Sequence, residues 1–274
     1  MAELSNPTSA NEPPTGNAAF YTPEFLERRR KALEAAAAEV GFRGIDEGDP
    51  QGPSGHAYGI HKSTWLTSSF REVHRKGAMD ITPQEVIDVL VAAGIKNWVL
   101  MGLHGYVGYL PQPRATQDVD VMVPYNDRKK ATKAIAARWP KLAITELSQV
   151  TRFMDPADLN PDGRPKPVLD LMHPWSPFQE LILKEHVIID KQTGHRLPTV
   201  EAALASKYAA IVSPFRELPK KEHDAGDFRH IVKANHDRVR HVDLRRLAAL
   251  VCEQGADDIE RFFNKALNDE PFSI

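Results

Sequence analysis

The segment Asp118-Val119-Asp120-Val121-Met122-Val123 alternates acidic and aliphatic residues with a period of two. That period predicts a β-strand whose valines face a core while Asp118 and Asp120 stand side by side on the opposite face. Adjacent carboxylates repel, and enclosing them unpaired is costly. A divalent cation is the natural remedy, and an oxygen-only donor set favours Mg2+ or Mn2+ over zinc. Asp170, in Val168-Leu169-Asp170-Leu171-Met172, is a further acid in the middle of an apolar strand, a position that disfavours it without a partner. If the two strands are neighbours, the three aspartates form a triad able to hold two metals about 4 Å apart, which can activate an attacking hydroxyl and stabilise a leaving pyrophosphate. The bland alternative is three solvent-facing aspartates on edge strands.

The rest of the chain supplies a frame for that triad. At 274 residues, 42% hydrophobic and 26% charged, it can bury a sizeable core, and collagen-like, coiled-coil and wholly disordered architectures are excluded. Residues 1–19 read as a disordered tail. Residues 20–78 read as an N-terminal extension: a short helix capped by Thr22 with basic residues from Arg28 to Lys31, then a Gly/Pro-rich loop over 41–64. Thr82-Pro83-Gln84-Glu85 is a capping box opening a helix. From there strands and helices mix through an α/β core at 79–175, with strands at 97–101, 119–123, 142–145, 150–154 and 168–172 and a turn-rich loop at 155–167. A helical C-terminal domain follows at 176–274, with helix starts at Ser176-Pro177 and Thr199.

Composition narrows the setting. A formal charge of −2 marks neither a general nucleic-acid binder nor a membrane-surface protein, although residues 216–246 carry nine Lys/Arg against six acids. Cys252 is the single cysteine, so neither an internal disulfide nor a cysteine-based zinc site can form, and a reducing cytoplasmic location is expected. No stretch approaches the roughly 20 apolar residues of a membrane span, and no apolar export signal opens the chain. The histidines His230, His236 and His241 fit no zinc-ligand spacing.

Gly102-Leu103-His104-Gly105-Tyr106-Val107-Gly108 separates the first core strand from the aspartate strand. Glycines there would let backbone N–H groups approach a triphosphate, although no Walker motif follows. Taken as an ordered set, strand, glycine turn, Arg114-Ala115-Thr116-Gln117-Asp118-Val119-Asp120 and the later Asp170 resemble the DNA polymerase β-type nucleotidyltransferase superfamily. Downstream, Pro198 to Ala210, with Leu204 and Lys207, resembles a helix of the AbiEii-type nucleotidyltransferases. Arg216 and Lys221-Glu222-His223-Asp224-Ala225-Gly226-Asp227-Phe228 resemble the segment that follows it in that group, which contains toxins of toxin–antitoxin systems, some of them transferring nucleotides to tRNA ends.

The resemblance covers about residues 82–235. It implies an α/β (α+β) fold, a nucleotidyltransferase-like mixed sheet flanked by helices. It also implies a Mg2+- or Mn2+-dependent enzyme moving an NMP from an NTP to a hydroxyl acceptor: RNA such as a tRNA end, a protein or a small molecule. A cognate antitoxin would be a partner. By the same resemblance Asp118, Asp120 and Asp170 are the metal and catalytic carboxylates, and Lys207 neutralises nucleotide phosphates. Gly102, Gly105, Arg114 and Thr116 frame the nucleotide, and Asp227, with Asp224, holds the lysine in register. Leu103 departs from the small second residue the superfamily places after its first glycine. That departure keeps open a second reading, a catalytically degenerate nucleotide- or partner-binding module.

Overall fold

The computed structural model describes residues 53–190 and 193–272, with Glu27 and Lys31 ahead of them. The chain divides into two compact units, Met1–Gly44 and Ile45–Ile274. In the first, Glu27 and Lys31 are helical and pair one turn apart at 3.7 Å. The expected tail, the rest of the expected first helix and residues 41–52 of the expected loop lie outside the described residues.

The first described element of the second unit is a helix where the glycines predict a loop. Helix α1 spans Pro53–His74. Tertiary packing overrides propensity here. A Cβ on Gly59 would meet Val107 Cγ1 at 3.1 Å, and one on Gly108 would meet His56 Nδ1 at 2.3 Å, so these glycines let α1 seat directly on the 107–109 turn. The capping box forms as expected: Thr82 Oγ1 accepts from Glu85 N–H at 3.2 Å, Glu85 Oε2 accepts from Thr82 N–H at 3.0 Å, and α2 runs over Pro83–Ala92.

Strand β1 (Val99–Met101) follows. The glycine stretch after it is a short helix, α3 (Gly102–Tyr106), and a 3-10 turn rather than an open loop. Next come β2 (Val119–Met122), α4 (Arg128–Arg138), β3 (Ala143–Glu146), β4 (Val150–Leu159) and β5 (Pro165–Met172). The expected loop over 155–167 is mostly strand: β4 and β5 extend into it and leave only a tight connection. A register irregularity beginning at Asp155 accommodates the acid and Pro156. There the Asp155 carboxylate accepts from Met79 N–H and from Ala157 N–H.

These strands form one mixed sheet in the order β1-β2-β5-β4-β3, with β2 and β5 parallel and the other pairs antiparallel. Val119, Val121, Leu169 and Leu171 are buried in the core, as the alternation requires. Helix α5 (Pro177–Glu185) leads into a hairpin, β6 (Val187–Ile189) and β7 (Arg196–Pro198), that the sequence does not announce. Arg196 fastens the hairpin to the sheet by donating to the Trp98 carbonyl at 2.7 Å. Four helices close the chain: α6 (Val200–Val212), α7 (Leu218–Asn235), α8 (His241–Ala249) and α9 (Gly255–Leu267). They pack around Tyr208, Phe228, Leu244, Leu247 and Ile259. The α/β class is as expected, a five-stranded mixed sheet flanked by helices. Among the described residues no helix is long and apolar enough to cross a membrane.

Candidate active site

Strand register brings the three aspartates together. Asp120 on β2 lies directly opposite Asp170 on β5, and Asp170 lies directly opposite Arg152 on β4. Residues opposite one another in a ladder share a face, and Asp118 joins that face two residues before Asp120. One oxygen from each of the three carboxylates lies within 4.8 Å of the others. Both β2 and β5 are interior strands, so the edge-strand alternative fails.

The electrostatics are those of an under-compensated anion cluster. Burial, reinforced by Asp170 and opposed by Arg152, pushes the Asp118 carboxyl up to about 6. Asp120 is raised well above the ordinary range by burial and by both neighbouring acids, with Lys207 and Arg152 working the other way. The donor set suits a hard divalent cation.

Gly102 sits directly against this cluster. It has φ +53°, and a Cβ there would lie 1.8 Å from Asp120 Oδ2, so only glycine leaves room for the carboxylate. Gly105 packs on the Leu100 carbonyl, where a Cβ would stand 2.5 Å away. The Leu103 side chain is buried in the core.

Lys207 lies at the centre of a second network. From α6 its ammonium donates to Asp224 Oδ1 and Asp227 Oδ2, both at 2.8 Å, and stands 4.3 Å over the Tyr106 ring. Burial works against that charge, but Tyr106, Asp227 and Asp224 more than offset it, and the lysine is held above its ordinary value. Asp227 also accepts from the Tyr106 hydroxyl at 2.7 Å and from Arg114 at 2.9 Å. Burial opposes the Asp227 charge and Lys207 outweighs it, so this acid is held below the usual carboxylate range. Arg216 pairs with Asp224 at 2.6 Å. Burial raises the Tyr106 phenol to about 12. Arg114, His223, Gly226, Asp227 and His230 line a neighbouring cleft of about 550 Å3.

The remaining expected residue, Thr116, faces Asp118, its hydroxyl 3.5 Å from Oδ1. Its backbone N–H donates to Thr67 Oγ1 on α1 at 3.1 Å, and Arg71 of the same helix donates to the Gln117 carbonyl and to Asp80. Helix α1 therefore anchors the chain where it enters the aspartate strand.

Sequence reasoning missed Arg152, Tyr106, Thr67 and Arg71. Arg152 left a faint trace, a cation in the alternating run Val150-Thr151-Arg152-Phe153-Met154, but its meaning depends on a register that periodicity does not supply. Thr67 and Arg71 left none.

No family model and no curated protein matches the chain. Among solved structures it is similar to an antigenic nucleotidyltransferase-like protein from Paracoccidioides brasiliensis, at 15% identity and a TM-score of 0.38 over 65% of this chain and 89% of that one. It is also similar to ANT(2")-Ia in complex with adenylyl-2"-tobramycin, at 14% identity and a TM-score of 0.35 over 74% of this chain and 99% of that one.

Proposed function

We propose that this protein is a divalent-metal-dependent nucleotidyltransferase of the DNA polymerase β type, moving an NMP from an NTP to a hydroxyl acceptor. The observation that carries the reading is the register pairing of Asp120 with Asp170, with Asp118 on the same face and one oxygen of each within 4.8 Å. Asp118 and Asp120, with Asp170 beside them, would hold Mg2+ or Mn2+. When bound, the cation would screen the triphosphate and stabilise charge on the leaving pyrophosphate.

The chain's own groups account for the rest. In an in-line displacement the acceptor oxygen bonds to the α-phosphorus as the bond to the pyrophosphate oxygen breaks, and the hydroxyl proton passes to Asp170. Lys207 is locked by its two acids, and its charge reaches Asp120, so it adds a fixed positive field beside the phosphates. Gly102 keeps the space that the Asp120 carboxylate occupies. Arg114 braces the Lys207 network through Asp227 and borders the cleft with His223 and His230, a suitable berth for part of the nucleotide or acceptor.

The toxin-like resemblance directs the acceptor towards RNA, such as a tRNA end, and with it a cognate antitoxin and a cytoplasmic location. Leu103 motivates the degenerate alternative, but its side chain is spent on the core, which leaves that reading without a specific observation in its favour.

The test is incubation with each α-32P-labelled NTP, Mg2+ and total RNA, beside the double variant Asp118→Ala, Asp120→Ala. Label should enter an RNA or protein band with the wild type and fall by at least about 10²–10³-fold in the variant. Undiminished transfer by the variant would place the chemistry elsewhere.

A further inference from the structure

Arg152 is the one cation bonded directly to the aspartate cluster among the described residues, and it bonds to one member only. Nε donates to Asp170 Oδ1 at 2.9 Å and to Oδ2 at 3.2 Å, while Nη2 donates to Oδ2 at 2.8 Å. A planar guanidinium set side-on to a carboxylate is a directional clamp, which a lysine cannot reproduce. The clamp is built by the sheet, since Asp170 has Asp120 opposite it on one side and Arg152 opposite it on the other. Asp170 is buried and Arg152 half-exposed, so the pair is set into the protein rather than lying loose on its surface.

We propose that Arg152 is a positioning residue that serves as a resident cation of the cluster. It holds Asp170, so that one divalent ion seats on Asp118 and Asp120 and the cluster takes one ion rather than two before any nucleotide binds. The inference rests on the nucleotidyltransferase reading and deepens it. With the guanidinium in place, three carboxylates face one fixed positive charge, and a single divalent ion neutralises the remainder. A second ion on Asp170 would sit within a few ångströms of a guanidinium that cannot lose its proton, in a half-enclosed site where like charges repel strongly. Asp170 Oδ2 accepts two of these bonds and Oδ1 accepts one, so the clamp leaves one Oδ1 lone pair for the acceptor hydroxyl rather than for a metal.

Mn2+ titration followed by electron paramagnetic resonance, without nucleotide, gives the ion count directly. The wild type should bind one Mn2+, and Arg152→Met should bind a second or gain roughly tenfold or more in affinity as the cluster's negative charge rises. Arg152→Lys, which keeps the charge and loses the fork, should still bind one ion. Its transfer activity should fall chiefly in kcat, because Asp170 loses its aim. Two ions in both wild type and Arg152→Met, at unchanged affinity, would overturn the proposal and leave the nucleotidyltransferase reading standing. No Mn2+ bound by the wild type would count against both, while the radiolabel assay would decide separately whether transfer occurs. Should Arg152→Met fail to fold, Mn2+ anomalous scattering from wild-type crystals answers the same question: one peak with the Arg152 fork intact supports the proposal, and two peaks with the fork displaced refute it.

Discussion

The aspartate row on the sheet and the lysine network between α6 and α7 are both charge clusters set into the protein, the first half-enclosed and the second buried, but they balance their charge differently. Around Lys207, two acids meet three cationic side chains, Lys207, Arg114 and Arg216, and the pairs form at 2.6–2.9 Å. The consequence is visible in the protonation preferences: Lys207 is held charged and Asp227 is held ionised. In the aspartate row three carboxylates share one directly bonded arginine, and the acids drift the other way, with Asp118 at about 6 and Asp120 higher than an ordinary aspartate. A cluster that satisfies itself stabilises the fold and aims its members. A cluster that leaves charge over suits a ligand, and charge balance distinguishes the two clusters more sharply than burial does.

The largest expected effect breaks the self-satisfied side. Lys207→Met removes the shared donor of Asp224 and Asp227, which are both buried; Arg216 and Arg114 still pair them, so the loss is that of two charge-assisted hydrogen bonds, about 3 kcal/mol. The midpoint of thermal unfolding should fall by roughly 10 °C in a domain of this size. If Lys207 were only snorkelling to the surface, the change would stay within about 0.5 kcal/mol.

An intermediate effect sharpens the other side through pH. The folded-state carboxyl of Asp118, at about 6, lies above its ordinary value of 3.8. The protein therefore holds a proton that the unfolded chain has already released across this window, and the stabilisation present at low pH is lost as pH rises from about 4 to about 6. Asp120 acts in the same direction. A divalent ion needs the deprotonated carboxylates, so added Mg2+ should raise the unfolding midpoint little near pH 5 and increasingly towards pH 7. At a hundredfold excess over its Kd the ion would contribute about 2.7 kcal/mol. The response should vanish in Asp120→Asn and persist in Lys207→Met to the extent that the variant folds. A Mg2+ shift independent of pH between 5 and 7 would contradict the charge imbalance.

The two clusters also differ in how far the sequence disclosed them. The aspartate row was legible because period-two alternation fixes which face Asp118, Asp120 and Asp170 occupy, and a mid-strand acid stands out against aliphatic neighbours. That β2 and β5 run side by side was a conjecture from sequence, since strand order is a long-range property. Arg152 escaped for the same reason: its partner is assigned by register on a strand eighteen residues away. The Lys207 network was legible only by resemblance, and its phenol partner, Tyr106, comes from a glycine stretch that reads as a turn. Helix α1 was misread because Gly59 serves a close approach to Val107 and Gly108, and propensity weighs a glycine as a breaker.

That helix supplies the smallest effect and refines the comparison, because Thr67 and Arg71 on it hydrogen-bond the chain entering the aspartate strand. Thr67 Oγ1 accepts from Thr116 N–H at 3.1 Å and donates to the Ser63 carbonyl at 2.8 Å. Thr67→Val keeps the shape and removes both bonds, leaving the Thr116 N–H without its partner, a loss of about 1 kcal/mol. The unfolding midpoint should fall by only a few degrees, roughly 2–4 °C. Because Thr116 sits two residues before Asp118 and its hydroxyl faces that carboxylate, Mn2+ affinity should weaken by several-fold, out of proportion to the stability change. Lys207→Met should show the reverse ratio, a large stability loss with a modest change in ion affinity. Equal ratios in the two variants would mean that the clusters are one electrostatic unit rather than a scaffold and a reaction centre.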